Sequence, residues 1–184
     1  LRRLVGSEMC IRDRYYVAAN LSLGAAYFTY DYKNLVVGID DPVTGLPKQV
    51  NYDEASISGF EFQGEYTFND AFSAYLTYGF NDAEYGKNDD VDGIINYEGN
   101  QYRFSPEFSY AVGVRFNTDK LRSTLSWNYI DDVFFEASND PDTLQEGYGL
   151  LNASDEYQVT DALTLGLYGQ NILDNECLIH AVKT

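Results

Sequence analysis

The chain is poor in the residues that most active sites are built from. Its 184 residues include two Cys, one Met, one Trp and one His. Cys10 and Cys177 lie near opposite ends, so they predict neither a disulfide framework nor a thiolate metal site. A hydrolase triad or a haem ligand would have to use His180, which stands alone in a ragged tail, so no enzyme activity and no cofactor are expected. Bases are also scarce. Twelve Lys and Arg stand against 29 Asp and Glu, for a net charge of −17. A nucleic-acid partner needs a basic face, and that balance excludes one. No run approaches the roughly 18 apolar residues of a membrane helix. The opening stretch lacks the apolar core of about 7–15 residues that a signal peptide needs.

Aromatic residues are plentiful, with 17 Tyr and 11 Phe. Tyr suits a boundary between apolar and wet surroundings. From residue 17 onward the pattern has a period of two. In "AFSAYLTYGFNDAEY", Phe72, Ala74, Leu76, Tyr78 and Phe80 share one face. In "GFEFQGEYTF", Phe60, Phe62, Tyr66 and Phe68 oppose Glu61, Gln63 and Glu65. In "EFSYAVGVRF", Phe108, Tyr110, Val112, Val114 and Phe116 oppose Ser109, Ala111, Gly113 and Arg115. This is strand alternation with one apolar and one polar face.

Seven strands are predicted, near 20–38, 50–67, 71–86, 101–116, 121–136, 147–159 and 162–174. No helical segment separates them, so the sheet is antiparallel. Short turns at 67–72, 116–121 and 158–163 each carry Asp or Asn, which bond their own backbone. The other connections, at 38–49, 84–101 and 136–146, are long and acidic. Short turns at one end and long loops at the other are the pattern of a bacterial outer-membrane barrel. The expected fold class is therefore all-β, an antiparallel transmembrane β-barrel fragment forming a curved open sheet with bare edges near 20–38 and 162–174. A soluble β-sandwich also has one apolar face, but it does not account for the short–long alternation or the strand length. Asp155 falls on the face of Leu151, Ala153, Tyr157 and Val159, which places a carboxylate in the apolar band. Either it lies close to the short-turn interface, or it marks a bulge or a sequence error.

Several stretches resemble the TonB-dependent outer-membrane receptors. "YGQNILDNE" is similar to that family's late-barrel motif Gly-x-Asn-Leu-x-Asp, with Gly169, Asn171, Ile172 and Asp174 in place. Cys177 stands where a Tyr usually follows. "ISGFEFQGEY" is similar to its Gly-x-Glu-x-Glu strand, with Gln63 in the second acidic place. "YRFSPEFSYAVG" resembles its Pro-centred strand start, and "EGYGLLNAS" its Tyr-x-x-x-Asn-Ala strand. The resemblance implies a plugged barrel of which this chain is about a third of the wall. The implied partners are outer-membrane lipid, a plug domain of the same chain, the TonB complex and a small-molecule ligand. The implied role is active uptake of a scarce ligand, with a ferric siderophore ahead of cobalamin or a glycan. The implied location is the bacterial outer membrane. Two alternatives stand beside it: a complete small barrel with a structural or adhesive role, and a soluble all-β binding module.

The opening "LRRLVGSEMCIRDR" resembles translated sequencing-adapter read-through, so residues 1–14 are set aside as non-native and 15–184 taken as partial barrel. Candidate plug-facing residues on the polar face are Glu61, Gln63, Glu65, Arg115, Arg122 and Asn128. Ordinary hydration of a polar lumen is the favoured account of them, since charge is expected there either way. Candidate ligand contacts in the long loops are the aromatics Tyr85, Tyr97, Tyr102, Phe134, Phe135 and Tyr148, since loops on a rigid scaffold are where binding concentrates. Girdle anchoring and loop packing are the competing role. "NDDVDGIINYEG" places Asn88, Asp90, Asp92 and Gly93 as in a calcium loop, but Gly99 stands where the bidentate Glu is required. Asp89, Asp90 and Asp92 are therefore at most a loose divalent-ion site within an acidic solvated loop.

Overall fold

The computed structural model describes residues 5–40, 44, 46–86 and 97–177, with the side chains of 5–17, 34–40, 47–48 and 50–54 left aside. Ten strands run in chain order: β1 (Val5–Ala18), β2 (Leu21–Asp40), β3 (Pro47–Asn69), β4 (Phe72–Tyr85), β5 (Phe108–Asn117), β6 (Leu121–Ile130), β7 (Val133–Phe134), β8 (Leu144–Gln145), β9 (Tyr148–Thr160) and β10 (Leu163–Gly169). A 3-10 turn at Pro141–Thr143 precedes β8. Eight strands form one sheet in the order β1-β2-β3-β4-β5-β6-β9-β10, and β7 and β8 pair apart from it. Every pairing is antiparallel. Among the described residues β1 and β10 do not meet, so the sheet is open.

All seven expected strands are present, with four differences. An eighth strand, β1, pairs residues 5–18 with β2, although the first strand was expected near 20. The edge of the sheet is therefore β1, and not the strand near 20–38. Backbone pairing requires no side-chain alternation, and an open β2 edge accepts a neighbouring segment through its free N–H and C=O groups. The strand expected from 101 begins at Phe108. Pro106 lacks an N–H, and Phe104 adopts a left-handed φ of 60°. The strand expected to reach 136 stops at Ile130, and the one expected to reach 174 stops at Gly169. Past Gly169, Asn171 and Asp174 have φ of 48° and 54°, which a strand cannot absorb.

The short turns form as expected, although the capping side chain differs between them. Asn69 Oδ1 accepts from the N–H groups of Ala71 (2.9 Å) and Phe72 (3.0 Å). At the next turn Thr118 Oγ1 accepts from Leu121 (3.0 Å), and at the last Thr160 Oγ1 accepts from Ala162 (3.3 Å). A Thr hydroxyl thus replaces Asx chemistry in two of the three turns.

Register aligns the two faces across strands. On one face run the rows Leu76–Val112–Trp127–Leu151 and Ala74–Val114–Leu125–Ala153. Among the described residues these side chains pack against no second layer. Leu76, Val112 and Leu125 are 40%, 43% and 47% exposed. A soluble sandwich would cover such a band with a second sheet, and none stands over it among the described residues. The band runs from the Phe72–Phe116 row to the Phe80–Phe108 row, nine residues of β4. That is the span of a tilted strand across hydrocarbon. Asp155 lies on this face beside Ser123 and Leu167, in line with the Phe72–Phe116 row. Ser123 Oγ donates to its carboxylate. Its place at the short-turn boundary, with a hydroxyl partner, accounts for a carboxylate in the apolar register. On the opposite face runs Gly24–Gln63–Thr77–Ala111–Asn128. These residues line a trough of about 580 Å³, so the polar face is the inner, concave one.

Candidate functional site

The inner face divides into two zones. The lower zone, near the short turns, gathers all six residues expected there. Glu61, Gln63 and Glu65 alternate along β3, Arg115 projects from β5, and Arg122 and Asn128 from β6. Arg115 Nη1 reaches Glu65 Oε1 at 2.6 Å, and its guanidinium lies 4.2 Å from the centre of the Tyr75 ring. The Tyr75 ring in turn covers Gly113, where a Cβ would come within 2.6 Å of it. Only glycine leaves that space, so β3, β4 and β5 are tied by one Arg–Tyr–Glu bridge. Both charged side chains are more than a third exposed, so the pair contributes under about 1 kcal/mol and serves orientation more than stability. Arg122 stands opposite Glu156, which accepts from the Tyr168 hydroxyl at 2.7 Å.

The upper zone lies beyond the Phe60–Phe80–Phe108 row, and there the two faces exchange character. Outside are Thr29–Ser58–Asp82 and Asp31–Ser56–Glu84; inside are Tyr30–Ile57–Ala83 and Tyr32–Ala55–Tyr85. Phe28, Tyr30 and Tyr32 form a ladder along the inner side of β2, with ring centres 5.7 and 6.4 Å apart. Phe28 lies across Gly59, and any side chain at 59 would collide with it. This ladder was not anticipated from the sequence. Its signal was present in "AAYFTYDYK", where the aromatic positions move to the other face after Tyr27.

The loop aromatics do not form one surface. Tyr85 stacks on Tyr102 at 4.7 Å and lies 6.1 Å from Tyr97. Phe135 packs on Phe104 at 5.6 Å. Tyr85, Tyr97 and Phe135 are buried, with 1%, 8% and 7% exposure, so their rings are consumed in packing the loops. Tyr102, Phe134 and Tyr148 remain half-exposed. Tyr148 pairs with Ile130 on the inner face, apart from the other two. The residues expected to bind a loose cation, Asp89, Asp90 and Asp92, lie outside the described residues, as does His180. Among the described residues no cluster of three or more His, Cys, Asp or Glu side chains forms a metal site.

Two loops are joined by side chains that imitate a strand pair. Asn139 Oδ1 accepts from the Gln101 N–H at 2.7 Å, and Asn139 Nδ2 donates to the Gln101 carbonyl at 3.0 Å. Asn100 Nδ2 donates to the Ala137 carbonyl at 2.8 Å. Asn139 has φ of 51°, a conformation that Asn tolerates better than most side chains. Below this junction sits Asp131, half-buried where β6 ends. Burial raises its carboxyl above the ordinary value, and the nearby Asp132 and Glu107 carboxylates add to this, partly offset by a backbone hydrogen bond at Asp132.

Gly169, Asn171, Ile172 and Asp174 form a pinned turn. The Asn171 N–H donates to Asn152 Oδ1 (3.0 Å), and the Ile172 N–H to the Leu151 carbonyl (2.9 Å). Asn171 and Asn175 bond each other twice, and Asn175 Nδ2 donates to the Gly149 carbonyl. The motif thus anchors the end of β10 to β9. Asn152 and Asn175, which sequence reasoning left out of it, complete the anchor.

Comparison with known proteins bears on this architecture. Residues 11–172 match the family described as TonB dependent receptor-like, beta-barrel. The ferric yersiniabactin uptake receptor FyuA from Yersinia pestis superposes with a TM-score of 0.78 at 20% identity, over 98% of this chain and 27% of that one. The siderophore receptor PiuA from Acinetobacter baumannii gives 0.72 at 23% identity, over 94% and 25%. The ferric citrate transporter FecA gives 0.75 at 21% identity, over 95% and 27%. At such identities the likeness speaks for the fold. The chain spans about a quarter of the length of these structures, so the small-barrel alternative finds no support among them. No curated protein sequence matches. The open antiparallel sheet, its exposed apolar band and this match agree: the chain belongs to the TonB-dependent receptor β-barrel family.

Proposed function

We propose that this chain forms part of the wall of a bacterial outer-membrane receptor that takes up a scarce ligand actively, a ferric siderophore ahead of cobalamin or a glycan. The family match over residues 11–172 carries the reading. The names of the similar structures, receptors for ferric chelates among them, support iron over the other cargoes. The apolar outer band meets lipid, where only a closed barrel satisfies every backbone group. The lower inner zone, with Arg115, Glu65, Arg122 and Asn128, faces a plug domain and offers it charged and amide partners. The upper inner zone and the loops face the medium and meet the ligand first. Energy comes from the TonB complex, which pairs with a receptor segment as an added strand. The work is binding and transport, not catalysis.

The test is uptake by cells that express the whole receptor under iron limitation. Labelled ferric chelate is expected to accumulate, and a proton uncoupler is expected to stop it. Uptake of cobalamin or a glycan in its place would replace the iron reading, and uptake that ignores the uncoupler would remove the energised mechanism.

A further inference from the structure

We propose that Asp155, oriented by Ser123, seats the primary-ammonium headgroup of a phospholipid on the outer face of the sheet. The proposal rests on the outer-membrane placement of the sheet and is independent of the ligand carried through the receptor.

Asp155 is an exposed carboxylate in an apolar register. Across the strands it meets Ser123 on β6 and Leu167 on β10, and along β9 it stands between Ala153 and Tyr157. The diagonal positions on the same face are Leu121, Leu125 and Leu165. None of these neighbours is a base. Ser123 Oγ donates to one carboxylate oxygen. A carboxylate accepts at about four positions, so one hydroxyl leaves most of them open towards the surroundings. The next residue shows the contrast. Glu156 faces inward, accepts from the Tyr168 hydroxyl and has Arg122 opposite it. Two successive acids therefore differ in one respect: the inner one has a cation of the sheet facing it, and the outer one does not. An ionised group on a lipid-facing surface is costly and calls for a partner of opposite charge.

Depth decides which partner. Asp155 is in line with the Phe72–Phe116 row, at the lower boundary of the apolar band, where headgroups meet hydrocarbon. Short turns of such barrels lie on the periplasmic side, so the lipid there belongs to the inner leaflet. A primary ammonium carries three N–H donors and forms short, charge-assisted hydrogen bonds with a carboxylate. Its acyl chains then lie over the open band, where Leu125 and Val112 are 47% and 43% exposed. A choline headgroup has the charge without the N–H groups, and a phosphatidylglycerol is repelled as an anion. Hydrogen bonding and charge thus select the same headgroup.

The test uses the full-length receptor in detergent with equal amounts of dioleoyl phosphatidylethanolamine, phosphatidylcholine and phosphatidylglycerol, and native mass spectrometry counts the lipids that stay bound. Heat-modifiable gel mobility checks the folding of each variant, and reconstitution into vesicles of the same lipids checks insertion. The wild type is expected to hold one phosphatidylethanolamine about tenfold more tightly than phosphatidylcholine. That preference should vanish in Asp155→Asn, which keeps the shape, and persist in Asp155→Glu, which keeps the charge. Ser123→Ala should lower it about threefold; an unchanged preference would remove Ser123 from the seat. Equal retention of the two lipids by the wild type, or an Asn variant that keeps the preference, would overturn the seat and leave the membrane placement standing. Tightest retention of phosphatidylglycerol would overturn the charge selection. A protein held by the wild type and lost from Asp155→Asn, with lipid retention unchanged, would overturn the lipid assignment in favour of a protein amine. Failure of the folded receptor to enter vesicles would remove the placement itself, and the seat with it.

Discussion

The same alternating strands have opposite faces below and above one aromatic row. Below Phe60–Phe80–Phe108, Leu76, Val112 and Trp127 point outward, while Gln63, Thr77 and Asn128 point inward. Above it, Ser58 and Asp82 point outward, while Tyr30 and Ile57 point inward. Backbone geometry does not change at the row. The solvent outside changes, from hydrocarbon to water, and the inner face changes with it, from polar residues such as Gln63 and Thr77 to rings and aliphatic groups such as Tyr30 and Ile57. Alternation alone therefore does not say which face is which; the row where it inverts marks the edge of the bilayer.

The comparison breaks most sharply under a charge placed on the outer face. Val112→Arg, in the apolar band, is expected to cost about 2–4 kcal/mol, whereas Ser58→Arg, above the row, should cost under about 1 kcal/mol. Reversible folding of the receptor into vesicles measures both, and equal costs would move the boundary. Next in size is Gly59→Val, which drives a side chain into Phe28 from beneath the ladder. Overpacking of this kind costs about 1–3 kcal/mol, read as a lowered unfolding midpoint. The same change at an exposed position of the outer face should be nearly silent. Asn139→Ala removes both bonds to Gln101 and should cost about 1 kcal/mol, confined to the upper zone. Limited proteolysis should then cleave near 131–147 faster while the band stays protected.

The smallest expected effect is at the boundary itself. Asp131 has a carboxyl raised by burial and by its acidic neighbours. The folded state then binds its proton more tightly than the unfolded state does. Its contribution is fully present below the ordinary carboxylate value and is lost as pH rises through the raised one. Asp131→Asn should flatten that decline and raise thermal stability at neutral pH, with no gain in acid. A variant that is less stable at neutral pH would show that the charge is paired and not merely crowded.

Much of the fold was legible in the sequence. Seven strands, the antiparallel order and the placing of short turns against long loops follow from period-two hydrophobicity and from Asp or Asn in the short turns, although Thr118 and Thr160 do the capping in two of them. The six polar-face residues follow from the same parity, since Glu61, Gln63, Glu65, Arg115, Arg122 and Asn128 alternate with apolar neighbours. Less legible were features that depend on contacts between distant segments. By sequence Tyr85 and Phe135 fit either ligand contact or loop packing; they are buried because residues 97–107 and 131–147 fold against each other. The Gly-x-Asn-Leu-x-Asp likeness could be recognised, but its physical work could not, because its partners Asn152 and Gly149 lie on another strand.

The sequence by itself determined the secondary structure, the parity of each strand and the family, because these rest on residue spacing along one chain. The tertiary structure alone decided which aromatics are consumed in packing, which stand on the inner wall as the Phe28–Tyr30–Tyr32 ladder, and why Asp155 is tolerated. Those depend on register between strands, and register places side chains together that are 20 to 50 residues apart in the chain, as Ser123 with Asp155 and Arg115 with Glu65.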